Sequence, residues 1–154
     1  MIKIRKIVPS QPDAQQLISE LDNYQLSIYP VESNHLDAAE ELSQPNVHFI
    51  GAYNDSKIVG IGAMKYVSEG IKYGEIKRVF VSEHARGNGV SRLIMENLES
   101  HAASKGFSKL RLETGIYQPE AIGLYEQLGY TKRESFGGYP KDDPYSVFME
   151  KVLP

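Results

Sequence analysis

The stretch that most narrows the fold is "VFVSEHARGNGVSRLIMENL", residues 79 to 98, where an apolar run passes through Arg86, Gly87, Asn88 and Gly89 into a helical pattern. Glycine weakens helices but takes positive φ without strain and lets a ligand approach the backbone, so a glycine pair at a helix mouth needs a local reason. One reason is a tight turn. The other is an anion cradle: the first amides of a helix lack partners, the helix dipole adds partial positive charge there, and Arg86 adds a cation. Either way, a strand entering a helix through glycine demands a fold that mixes the two.

The flanking patterns agree. Ile2 to Ile7 read as an opening strand, and Pro12 with Asp13 begins a helix carrying Leu17, Ile18 and Leu21. A tyrosine-rich connection, "NYQLSIYPVESNH", in which Pro30 interrupts any helix, leads to an acidic helix from about Leu36 to Leu42. The period then becomes two. "NVHFIGAYN", "SKIVGIGAMKYV" and "IKYGEIKRVFV", joined by short turns, predict an antiparallel meander. After the glycine loop, Val90, Leu93, Ile94, Leu98 and Ala102 have helical spacing, with Gly106 as the cap. Strand "SKLRLET", helix "PEAIGLYEQL" closed by Gly129, strand "YTKRES", a polar loop and strand "YSVFMEKVL" complete the pattern. We expect one mixed α/β (α+β) domain over 1–154, an antiparallel meander followed by a βαβα half, with helices on both faces of the sheet.

Composition limits the partners. A net charge of −3 with 17 Lys and Arg scattered along the chain offers no field for nucleic acid or anionic membrane. No apolar run approaches a membrane span and the amino terminus lacks a signal-peptide core, so a cytoplasmic protein is expected. With no cysteine there is neither disulfide nor thiolate nucleophile nor zinc thiolate. His35, His48, His84 and His101 show no metal-ligand spacing, so no metal is expected.

Taken in order, "EIKRVFV", "RGNGVSRLI", "LETG" and "AIGLYEQLGY" resemble the GNAT superfamily of acyl-coenzyme A dependent N-acetyltransferases, most strongly from Gly74 to Tyr130. The resemblance implies a GNAT-like mixed sheet, with acetyl-CoA as co-substrate and an amine acceptor. It implies that the backbone of Arg86, Gly87, Asn88, Gly89, Val90 and Ser91 holds the coenzyme pyrophosphate, while Val79, Phe80 and Val81 bond the pantetheine arm and acetyl carbonyl. There are two departures. Ser91 stands where the family usually has Gly or Ala, and Gln118 where Asn is frequent. The loop lacks the G-K-[ST] ending of a P-loop and the three glycines of a dinucleotide fingerprint.

Transfer to an amine requires a neutral amine, a donor for the oxyanion and a proton for the departing thiolate. By the resemblance, Glu75 is the first candidate base and Glu113 its rival, and Tyr125 stands near the coenzyme sulfur as the acid. The resemblance puts the acceptor near Tyr29 and Glu32, with Tyr139 closing the opposite wall. A homodimer through the final strand and an ordinary intramolecular sheet both remain open.

Overall fold

In the computed structural model, which describes residues 1–34, 39–68 and 70–154, seven strands form one sheet: β1 (Ile2–Lys6), β2 (Val47–Asn54), β3 (Lys57–Val67), β4 (Tyr73–Val81), β5 (Lys109–Gly115), β6 (Thr131–Arg133) and β7 (Ser146–Val152). Their order is β1-β2-β3-β4-β5-β7-β6. The first four make the expected antiparallel meander. β4 and β5 run parallel, linked by helix α3 (Val90–Ser104), because the crossover through a helix returns the chain to the same end of the sheet. Helix α4 (Pro119–Gln127) follows β5.

Strand alternation sends side chains to two cores. Phe49, Ile61 and Ala63 meet Ala14, Leu17 and Ile18 of helix α1 (Pro12–Ile28) and Leu42 of helix α2 (Ala39–Leu42). Ile50, Met64 and Ile76 meet Ile94, Met95 and Leu98 of α3, with Tyr125 of α4. Helices therefore cover both faces.

One sequence expectation changes and one open alternative is narrowed. Helix α1 runs on to Ile28, through residues assigned to a connection. Tyr24 and Leu26 are exposed, so they add nothing to the apolar stripe that ends at Leu21. Pro30 stops the helix instead, holding Tyr29 extended at φ −121°, ψ 149°. The final strand β7 lies between β5 and β6, so its pairing is intramolecular. Of the predicted second helix, residues 39–42 are α2, while 36–38 and His35 lie outside the described residues.

Beneath α3, the His48 ring of β2 stacks on His101 with centroids 3.5 Å apart and planes 6° apart, and the Tyr66 hydroxyl shares a 2.6 Å hydrogen bond with His101 Nε2. Burial, reinforced by His101, Lys6 and Lys105, pushes His48 down to about 4. An unfolded histidine titrates near 6.5, so between about pH 6.5 and 4 the unfolded chain binds the extra proton. Stability is therefore full above pH 6.5 and declines as pH falls toward 4. Urea midpoints at pH 7 and pH 5 should differ more for the wild type than for His48→Gln; equal differences would remove His48 from the acid sensitivity.

Candidate active site between two diverging strands

The parallel ladder of β4 and β5 pairs only Gly74 with Leu110, Glu75 with Arg111 and Ile76 with Leu112. Beyond Ile76 the strands part, and a cleft opens between Ile76 to Val79 on one side and Leu112 to Gly115 on the other. A bulge in β4 helps open it. The register with β3 slips between Ile61 and Ala63, and Arg78 takes φ +59°. One extra residue changes the parity: Ile76 and Val81 face the α3 core, whereas Phe80 packs against the α1 core. A non-glycine residue at positive φ stores about 1–3 kcal/mol of strain, which persists where surrounding contacts enforce it. Here the buried Arg78 guanidinium pairs with Asp22 of α1.

Sequence reasoning missed Arg78. Its signal was a second cation after Lys77, at a position where simple alternation from Ile76 demands an apolar side chain.

Glu113 lines the cleft and accepts a 2.8 Å hydrogen bond from the Ser146 hydroxyl at the start of β7. Tyr125 lines it from α4. Its phenol is buried, and that burial, together with the Glu113 charge, pushes it up to about 12. Glu113 also helps raise Tyr29, whose main cause is again burial. The carboxylate thus lies in the field of both phenols.

Glu75 stands one layer back. Tyr139 donates to Glu75 Oε2 at 2.5 Å, and the Lys77 ammonium lies 3.2 Å from the same oxygen and 3.3 Å from the Tyr139 hydroxyl. Lys77 and Tyr139 form the cleft wall in its place.

Tyr29 enters the cleft from the end of α1. Its hydroxyl accepts from the Tyr117 N–H at 3.0 Å and donates to Gln118 Oε1 at 3.4 Å. Gln118 Oε1 also receives the Gly115 N–H at 3.3 Å and the Gln25 side-chain amide at 3.4 Å. Gln118 therefore fastens α1, β5 and the start of α4 together at the cleft's edge. Glu32 is exposed on a short turn, and its neighbour Ser33 reaches the cleft instead. Tyr145, also missed by the sequence reading, completes the wall beside Tyr29, ring centroids 6.3 Å apart.

Past the bulge, Val79 still lines the cleft, and β4 leads to the glycine loop. Gly87 (φ +83°) and Gly89 (φ +74°) adopt conformations that other residues rarely hold, and a Cβ on either would point into open space. The glycines answer a backbone need and leave the loop approachable. Gly89 is the N-cap of α3 and supplies no side-chain cap. The Asn88 amide is turned inward, donating to Ala85 O at 3.1 Å, and Arg86 Nε donates to Val81 O at 3.1 Å, its guanidinium 5.5 Å from the Phe80 ring centre. Arg86 and Asn88 thus brace the loop, and among the described residues no side chain caps the start of α3. An uncapped helix N-terminus under open glycines fits a diphosphate.

Among the described residues, no group of three His, Cys, Asp or Glu gathers around a common point, and no helix is long and apolar enough to cross a membrane.

Comparison with known proteins agrees with this geometry. The pattern of the Acetyltransferase (GNAT) family matches residues 14–130. An IAA acetyltransferase from Azospirillum brasilense is 43% identical over 152 residues, covering 99% of this chain and 98% of the relative. The crystal structure of an acyl-CoA N-acyltransferase from Klebsiella pneumoniae superposes with a TM-score of 0.82 at 34% identity, over 99% of this chain and 98% of that one. An aminoglycoside 6'-N-acetyltransferase complexed with coenzyme A shares the fold at 20% identity, with a TM-score of 0.72 over 99% of this chain and 98% of that one. The chain belongs to the GNAT family of acetyltransferases and is an N-acetyltransferase of that family.

Proposed function

We propose that the protein transfers the acetyl group of acetyl-CoA to a primary amine by direct attack within a ternary complex. The observation that carries this reading is the cleft between the diverging strands, with Glu113 and Tyr125 facing into it and β4 leading from it to the uncapped start of α3. Acetyl-CoA supplies an activated thioester; the coenzyme A complex of the fold relative supports its use here. Residues Arg86 to Ser91 would hold its diphosphate through backbone amides, and the free edge of β4 from Val79 to Val81 would hold the acyl arm.

Each remaining demand falls to a residue of the cleft. An amine with a pKa near 10.4 arrives as a cation. Glu113 attracts it and takes its proton, while Glu75 positions Lys77 and Tyr139 as the opposite wall. A backbone N–H of β4 beyond the bulge, where the ladder to β5 has ended, serves the oxyanion. The Tyr125 phenol remains protonated at every physiological pH and hands its proton to the departing thiolate, and the surplus proton on the nitrogen of the tetrahedral adduct restores the phenol. The burial that raises the phenol also penalises a bare thiolate, so the transfer is less uphill than the aqueous values suggest. Tyr125→Phe should lower the turnover number at least tenfold while acetyl-CoA affinity stays within about twofold; an unchanged rate would exclude the acid role.

The reaction is tested by thiol release from acetyl-CoA with a panel of primary amines, amino acids and lysine peptides, and with IAA added because the Azospirillum relative bears its name. Amine-dependent release supports the proposal. A melting shift with acetyl-CoA but no release with any acceptor would favour a binding module without turnover.

A further inference from the structure

On the α3 face of the sheet, away from the cleft, Lys6, His48, Asn97, Ser100, His101 and Ser104 line an open groove floored by Ile4 and Ile50. His101 lies three turns along α3 from its start, about 16 Å along the axis at 1.5 Å per residue, so the groove is separate from the glycine loop.

His48 is only 9% exposed, yet among the described residues no hydrogen bond reaches its ring nitrogens; burial and neighbouring charge alone act on it. Neither ring nitrogen is sealed from solvent, so the ring presents polar atoms at the groove that an incoming ligand can reach. The sign of that ligand follows from the surroundings. The charged groups bearing on the two rings are Lys6 from β1 and Lys105 just beyond α3, both cations; β3 contributes the neutral Tyr66 hydroxyl. Among the described residues, the groove lining holds no carboxylate. In a chain of net charge −3, this is a local concentration of positive charge and hydrogen-bond donors.

We propose that this groove binds a small oxyanion, the phosphate or carboxylate of a metabolite, held by His48, Lys6, Ser100 and Asn97 with its apolar part against Ile4 and Ile50. The ligand accepts an N–H from His48 and favours the imidazolium, so binding takes up a proton and tightens as pH falls. Stacked rings 3.5 Å apart hold one proton more readily than two, because the second would place like charges face to face. The pair therefore accepts a single charge and offers it to the anion.

The test follows the histidine ring resonances of the 15N-labelled full chain through a pH titration, with His48 assigned from His48→Gln. The salts are inorganic phosphate, acetate and sodium chloride at equal ionic strength. Phosphate, acetate or both should raise the His48 midpoint by about one pH unit or more relative to chloride. Whichever acts names the source of the oxyanion. Lys6→Gln changes an exposed side chain and should weaken the effective anion at least fivefold. A His48 midpoint that is the same in all three salts, or an equal response in Lys6→Gln, would overturn the proposal. Phosphate entering the α3 start would disturb the Gly87 and Gly89 amides and not His48, so the two anion sites are read separately.

Discussion

Glu113→Gln is expected to lower the turnover number about a hundredfold or more, the scale on which a positioned base contributes. The substitution is close to isosteric, and a glutamine carbonyl can still accept from the Ser146 hydroxyl, so the strand pairing of β5 with β7 should be retained. What disappears is the negative charge in the cleft. The residual rate should climb with pH as the free amine becomes more abundant in solution, a steeper dependence on pH than that of the wild type. Glu75→Gln makes the informative contrast. That carboxylate is occupied by Tyr139 and Lys77, so its loss should loosen the wall and raise the acceptor KM more than it lowers the turnover number. If instead Glu75→Gln abolishes the rate and Glu113→Gln leaves it intact, the base has been assigned to the wrong strand.

The second large effect is structural. A Cβ added to Gly115 would sit 1.8 Å from the Tyr29 hydroxyl and 2.1 Å from its Cζ, distances no real contact tolerates. Gly115→Ala must therefore drive the Tyr29 ring out of its site, breaking its hydrogen bonds with the Tyr117 N–H and Gln118 and disturbing its stacking on Tyr117, centroids 5.5 Å apart. Overpacking of this kind costs about 1–3 kcal/mol. At about 2–4 °C per kcal/mol for a chain of this length, the melting temperature should fall by several degrees and the acceptor KM should rise. Tyr29→Ala removes the obstructing ring, so the double variant should be less destabilised than the two single effects added together. Strict additivity would mean that Gly115 is required for some other reason.

Much of this was legible because its signals are local. The glycines at 87 and 89, the period-two runs of the meander and the apolar spacing of α3 each announce themselves within a few residues, and the observed elements follow them closely. The wall of the cleft was harder. Arg78 is held by an ion pair across 56 positions of sequence, and its bulge reverses the facing of Phe80, which alternation alone cannot foretell. Glu32 and Ser33 are adjacent, and only the 3-10 turn at Val31–Ser33 decides which of them reaches the cleft. Glu75 and Glu113 both sit on strands flanking the opening, and Tyr139, from a distant loop, is what withdraws Glu75 from the surface. The insertion of β7 between β5 and β6 has no local signature, since its partner β5 lies far back along the sequence.

The two ends of the site differ in how they are encoded. The end proposed for the coenzyme is written in one continuous stretch, residues 79–91, braced by short-range bonds such as Arg86 Nε to Val81 O. The end proposed for the acceptor is assembled from α1, β5 and the loop before β7, with Ser33 and Asp143 hydrogen-bonded across 110 positions. Mutational drift can therefore act on them separately. Exchanges at Gln25, Tyr29, Ser33, Tyr139 or Tyr145 can remake the shape of the acceptor pocket while leaving the coenzyme grip untouched, so a change of substrate need not pass through a variant that has lost acetyl-CoA.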